Sequence, residues 1–137
     1  MNSNEVYREI ILKLSDGRKL KASLVYRERD ATCWLQLTAE GITEESTNTD
    51  YFKSFTDIRR RLAKNGIFPI CYGASRKVWP SGMARDMGQG LKAYKLELGI
   101  KGGEMVGIFE TGSDVEPVTP EEQQAFEGEW FRSMTKR

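Results

Sequence analysis

The chain has 137 residues, of which 39% are hydrophobic and 30% are charged, and its formal net charge is +1. This balance predicts a single folded domain over residues 1–137 and excludes a chain too polar to build a core. There are two cysteines and no histidine, so the commonest general base and metal ligand is missing. Because the sequence lacks a run of ~20 apolar residues and an apolar secretory signal, we expect a cytoplasmic protein without membrane contact.

The first two predicted elements are alternating strands joined by a loop at Ser15–Gly17. Apolar residues occupy every second position on both sides of this loop, as in strands with one buried face. A three-residue loop with its glycine in the left-handed conformation pairs Leu12 with Leu20 and Ile10 with Ala22. A two-residue turn would set the apolar faces against each other, so we predict the three-residue loop.

A third strand is predicted over Thr32–Thr38, where apolar and polar residues alternate again. Residues 39–49 are polar and rich in turn-forming residues, which indicates a surface loop. A helix is then predicted over Asp50–Asn65, because its apolar residues recur at spacings of three and four. Thr49 or Asn48 is the predicted N-cap of this helix.

The next strand is predicted over Ile67–Tyr72, and Pro69 confines it to a sheet edge or a strand end. Two later strands are predicted over Leu91–Leu98 and Met105–Phe109 from their alternating residues. Together with the first three, these segments favour an antiparallel or mixed sheet.

Residues 73–90 form the least regular stretch, with a short helical turn predicted near Ser81–Met87. The four-residue spacing of Met83 and Met87 predicts that both contact the core of the domain. The glycine-rich run GMARDMGQG lacks the Lys-Ser or Lys-Thr of a P-loop, so we interpret it as a shaped turn rather than a nucleotide site.

A final helix is predicted to start at Thr119, with Pro120 at the first helical position and Glu122 completing a capping box. The predicted order is therefore β-β-β-α-β-β-β-α. It indicates an α+β fold, with an antiparallel or mixed sheet of about five to six strands and two main helices packed on one face.

Neither cysteine is predicted to bind a metal, form a disulfide or act as a nucleophile. Cys33 and Cys71 are too few for a structural zinc site. A disulfide would require neighbouring strands, and a catalytic thiol would need an activating base that the sequence lacks. We therefore predict two buried free thiols, no metal and no cofactor.

The small net charge conceals a strong segregation along the chain. Residues 51–96 hold ten basic and two acidic residues, a net of +8, whereas residues 97–130 hold one basic and nine acidic residues, a net of −8. One interpretation is that the two segments neutralise each other in the fold. The other is that one of them forms a face that steers an oppositely charged partner.

Three segments together resemble small bacterial immunity proteins of polymorphic toxin systems, in particular those of contact-dependent growth inhibition. They are CYGASRKVWPSGMARDMGQGLKAYKLEL at Cys71–Leu98, IFETG at Ile108–Gly112 and the closing EEQQAFEGEW helix. The resemblance covers roughly the C-terminal half of the chain. It implies a cytoplasmic protein without catalysis of its own, which binds one cognate toxin domain and blocks its active site or its substrate surface.

Affinity in such an interface concentrates in a few aromatic or arginine anchors. Trp79 and Arg85 are the candidate anchors, although core packing is an equal expectation for Trp79. The acidic loop Glu110–Pro117 is a candidate steering rim, and the basic residues beside Trp79 offer an opposite face. The full set of candidate partner-binding residues is Arg76, Lys77, Trp79, Arg85, Glu110, Asp114 and Glu116.

Two alternative functions remain open from the sequence. The basic segment 51–96 would suit a nucleic-acid-binding accessory protein, whose affinity would fall steeply with salt. A small enzyme acting on an anionic metabolite would use the residues Arg76, Lys77, Arg85 and Asp86.

Overall fold

The alternating residues of the amino-terminal half form a five-stranded antiparallel sheet. The computed structural model describes the backbone of residues 4–135 and the side chains of residues 4–134. The strands lie side by side in the order β4-β3-β2-β1-β5. Their bounds are β1 Val6–Lys13, β2 Lys19–Arg29, β3 Thr32–Ala39, β4 Ile42–Asn48 and β5 Phe68–Ile70.

The predicted register of the first hairpin is confirmed. Leu12 pairs with Leu20 and Ile10 pairs with Ala22. The Leu14 N–H donates to the Arg18 carbonyl at 2.8 Å, which closes the three-residue loop. The loop glycine has φ +91°, the left-handed conformation that glycine adopts without steric cost. The apolar residues of both strands therefore share the buried face of the sheet.

Helix α1 (Tyr51–Ala63) lies within the predicted range, but the predicted cap residues are wrong. The N-cap is Asp50 rather than Thr49 or Asn48, because Asp50 Oδ1 accepts the Lys53 N–H at 2.8 Å. The apolar stripe of the helix is buried in the core that the sheet forms, through Phe52, Phe55, Ile58 and Leu62.

The prediction of a surface loop over residues 39–49 is wrong, because Ile42–Asn48 forms the edge strand β4. Its side chains alternate between exposed and half-buried positions, and the inner ones meet polar groups of α1. Ser46 Oγ and Asn48 Nδ2 both donate to Asp57 Oδ2, at 2.7 and 3.0 Å. A polar edge strand of this kind has no apolar alternation for sequence reasoning to detect.

The carboxyl-terminal half builds a second, three-stranded antiparallel sheet in the order β6-β7-β8. The predicted α+β fold class is confirmed, and the strands divide between two sheets. The elements are β6 Val78–Trp79, α2 Gly82–Gly88, β7 Lys92–Lys95, β8 Met105–Gly107 and α3 Pro120–Thr135.

Helix α3 begins with the predicted capping box. The Glu122 N–H donates to Thr119 Oγ1 at 3.1 Å, and the Thr119 N–H donates to Glu122 Oε1 at 2.9 Å. Gln123, which follows directly in the first turn of the helix, is buried and accepts a hydrogen bond from Arg59 of α1 at 2.7 Å. The contact fixes α3 against α1. Within residues 4–135, no helix has both the length and the apolar character needed to cross a membrane.

Candidate functional site

An open groove of about 630 Å³ lies between the small sheet, α2 and α3. Strand β6 contributes Trp79, β7 contributes Tyr94, α2 contributes Met83, and α3 contributes Glu127 and Trp130. Among the described residues that line it, Glu127 is the charged one. The groove therefore has aromatic and apolar walls with one carboxylate, which suits binding through contact area. We call it the aromatic groove.

Trp79 is both a core contact and a wall of the aromatic groove. Its ring meets the buried Phe52 ring edge-on, with the ring centres 5.3 Å apart, and the Trp79 side chain remains half-buried. Contact with a buried ring holds an aromatic side chain in one orientation. Trp79 therefore contacts the core, as one of the two expectations has it, and also presents a fixed surface to the groove; its role as a partner anchor stays a prediction.

Trp130 contributes another wall of the groove and is held by the connection between β7 and β8. Its indole Nε1 donates to the Ile100 carbonyl at 3.0 Å, and the Gly99 N–H donates to Ser133 Oγ at 2.8 Å. These two bonds attach the connection to the last turns of α3. In the sequence, Trp130 is one of several apolar residues spaced along a predicted helix. This pattern does not identify it as a residue of a binding site.

Two polar groups of the aromatic groove have no partner in the described part of the chain. The carboxylate of Glu127 makes neither an ion pair nor a hydrogen bond there, and the hydroxyl of Tyr94 makes no hydrogen bond. Groups of this kind are available to a ligand at the cost of displacing water.

The side chain of Arg85 contacts Trp79 and Asp50 instead of extending into solvent, and it thereby holds α2 in place. Its guanidinium lies 5.5 Å from the centre of the Trp79 ring and pairs with Asp50 Oδ2 at 3.4 Å. The prediction that Met83 and Met87 contact the core is wrong, because they are 71% and 80% exposed. The helix has only two turns and is held through Arg85, so the methionines face outward.

The acidic candidate Asp114 belongs to a network outside the aromatic groove. Its carboxylate pairs with Lys95 Nζ at 2.9 Å and accepts the Tyr72 hydroxyl at 2.7 Å. These hydrogen bonds lower the pKa of Asp114 below its usual value. Lys95 also pairs with Glu104 at 3.2 Å. The carboxylate of Asp114 is thus occupied by partners within the protein.

The remaining candidates lie along one loop and the segment beside it. Glu110 Oε1 accepts the Gly107 N–H at 3.0 Å. The Arg76 N–H donates to the Glu116 carbonyl at 3.0 Å, so acidic and basic candidates sit side by side. The ammonium of Lys77 lies 5.8 Å from the centre of the Phe126 ring. The structure brings Trp79 and Arg85 together, and it brings Arg76 beside Glu116.

The thiols behave as the sequence predicted, since Cys33 and Cys71 are buried and unpaired. Burial raises the pKa of Cys33 to about 11 and that of Cys71 to about 12. Both remain protonated at neutral pH, and a neutral thiol is a poor nucleophile. Among the residues with described placement, no group of three or more metal-binding side chains comes together.

The basic and acidic segments partly neutralise each other. Arg60 of α1 pairs with Glu121 of α3 at 2.9 Å, and Lys95 pairs with Glu104 and Asp114. These contacts join segments that are remote in the sequence. They favour the interpretation in which the basic and acidic segments neutralise each other in the fold.

No family model matches the chain, and no curated protein matches it significantly.

Proposed function

We propose that this chain is a non-catalytic, cytoplasmic binding protein of the immunity type. It neutralises a cognate toxin domain by seating part of it in the aromatic groove. The observation that carries the proposal is the convergence of Trp79, Tyr94 and Trp130 beside the exposed Met83. Aromatic residues and methionine are enriched in protein interfaces, and tryptophan and tyrosine dominate their hot spots.

The composition of the groove favours binding over catalysis. Its carboxylate, Glu127, has no neighbouring acid or base among the lining residues. The two thiols lie in the core with raised pKa values. The segment Cys71–Leu98, which carries much of the resemblance to immunity proteins, supplies seven of the residues that line the groove. The segment that resembles immunity proteins therefore also lines much of the aromatic groove.

The first test is to identify the partner. The tagged chain is expressed in its native host and captured at physiological salt, with a nuclease-treated sample in parallel. We expect mass spectrometry to identify one small toxin domain that survives nuclease treatment. That domain should arrest growth in a second host, and co-expression of this chain should restore it. A captured domain that does not arrest growth would contradict the immunity role.

Variants then test whether the groove is the binding surface. We expect Trp130→Ala to weaken the complex about thirtyfold, as a hot-spot truncation does. Met83→Glu, at an exposed position that tolerates a charge, should weaken it as well. Tyr7→Ala is the matched control, because Tyr7 is an aromatic residue 72% exposed on β1, outside the groove. Full protection by both folded groove variants would exclude the groove as the interface.

The structure gives less support to nucleic-acid binding through residues 51–96. Half of the ten basic residues there are buried or paired: Arg59, Arg60, Arg61, Arg85 and Lys95. We expect no retention of the chain on immobilised RNA at physiological salt. Retention that falls steeply as salt rises would instead favour the nucleic-acid alternative.

A further inference from the structure

We infer that the aromatic groove is a receptor for an arginine side chain of the partner, whose guanidinium stacks on Trp79 and Trp130 and pairs with Glu127. The inference rests on the proposed function for the identity of the partner as a protein. It adds which residue of that partner the groove recognises.

The side chains that line the groove are suited to binding a cation. Indole rings attract cations more strongly than other aromatic side chains, and here two of them line one groove together with the phenol of Tyr94. Glu127, which is free of ion pairs in the described chain, supplies the opposite charge. Apolar walls lower the local dielectric constant beside Glu127 and so strengthen both interactions.

The attraction for a cation comes from Glu127 itself, because three other carboxylates of the acidic segment 97–130 are already paired with Lys95 or Arg60. Arg85, the cation beside Trp79, is neutralised by Asp50 and therefore adds little repulsion.

The aromatic walls and the carboxylate of the groove favour arginine over lysine. A guanidinium is planar, stacks on aromatic faces and pairs with a carboxylate through two parallel hydrogen bonds, whereas an ammonium is compact and strongly hydrated. The volume of about 630 Å³ leaves room for apolar residues of the partner beside the arginine, against Met83.

A titration with a small probe tests the inference without any toxin. N-acetyl-arginine amide is added to the full chain, and the indole N–H signals of the three tryptophans are followed by NMR. We expect shifts at Trp79 and Trp130 with roughly millimolar affinity. Trp34, whose indole donates to Glu45 on the large sheet, is the internal control and should not shift. N-acetyl-citrulline amide, the uncharged isostere, should bind about tenfold more weakly.

The variant Glu127→Gln separates charge recognition from simple apolar binding. We expect it to reduce arginine affinity about threefold to tenfold and to leave citrulline affinity unchanged, with an unaltered melting temperature. Equal binding of the two probes, or no shift at Trp79 and Trp130 up to about 50 mM probe, would overturn the inference. Because the titration contains no toxin, its failure is distinct from a failure of the growth assay.

Discussion

At the scale of single residues, Arg59 is the most unusual side chain of the core. It is 1% exposed, and its guanidinium donates to the Gly73 and Val118 carbonyls and to Gln123 Oε1, at 2.7–3.1 Å. Burial lowers the pKa of Arg59 to about 10, so the group remains charged at neutral pH. Neutral oxygens thus bind both terminal nitrogens of a buried cation and join α1, α3 and the segment between the two sheets, whereas its buried Nε has no hydrogen-bond partner in the described part of the chain.

Removing this cation should destabilise the fold. We expect Arg59→Met to lower the free energy of unfolding by about 2–4 kcal/mol, because the Val118 carbonyl and Gln123 Oε1 lose their buried donor. Arg60→Met is the matched control, since Arg60 is exposed and its pair with Glu121 contributes less than about 1 kcal/mol. Urea denaturation measures both variants. Equal losses would show that the Arg59 hydrogen bonds contribute no more than a surface ion pair.

The buried thiol of Cys71 predicts a loss of stability in alkali. Its pKa is about 12 in the folded chain against a usual value of 9.0, so the unfolded chain releases the proton first. Stability from this group is complete below pH ~9 and falls as the pH rises toward 12, by about 1 kcal/mol between pH 8 and 10.

The measurement is urea denaturation at pH 8 and pH 10. We expect Cys71→Ala to be less stable at both values, because the truncation leaves a cavity, but to lose less stability on going to pH 10. An identical pH dependence in the variant and the parent chain would contradict the assignment.

At the scale of elements, α2 is a two-turn wall of the aromatic groove held by a few specific contacts. Ser81 caps it by accepting the Ala84 N–H at 3.0 Å. The Tyr51 N–H donates to the Gln89 carbonyl at 2.7 Å, which ties the end of α2 to the start of α1. A helix this short is not stable by itself, so these contacts determine its place.

Breaking the arginine contact should loosen α2 alone. We expect Arg85→Gln to speed hydrogen exchange of the α2 amides about tenfold while global stability changes by less than about 1 kcal/mol. Asp86→Asn, on the exposed side of the same helix, should leave exchange unchanged. Unaltered exchange in Arg85→Gln would mean that the backbone contacts suffice.

At the scale of the whole molecule, opposite charges that are separated in the sequence meet in the fold. The pairs Arg60–Glu121 and Lys95–Asp114 join the basic and acidic segments, and Arg61 pairs with Glu44 on the edge strand at 2.8 Å. Asp114 is therefore a poor probe of partner steering, because its reversal would also disturb Lys95. Glu116 is the better probe, since its exposed carboxylate has no partner in the described part of the chain.

If the acidic loop steers the partner, reversing Glu116 should slow association. We expect Glu116→Lys to reduce the association rate with the captured toxin domain severalfold at low salt, with little change in dissociation. Glu40→Lys, an equal change of charge at the β3–β4 turn, is the control. Equal association rates for the two variants would exclude steering by this loop.

Much of the fold was predictable because it depends on short-range patterns. The pairing of Leu12 with Leu20 follows from alternation and loop length, and the cap at Thr119 follows from residues three apart. The polar strand β4 was not predictable from its own residues, because its inner side chains are satisfied by Asp57 of α1.

The sequence alone thus determined the α+β class, the first hairpin register, the start of α3 and the unpaired buried thiols. These properties depend on spacing, capping and composition, which are visible within a few residues. Only the tertiary structure decided that Trp79 and Trp130 face one groove, that Arg59 is buried while Met83 is exposed, and that Asp114 pairs with Lys95. Each of these depends on which surfaces pack together, since burial and pairing are properties of residues remote in the chain.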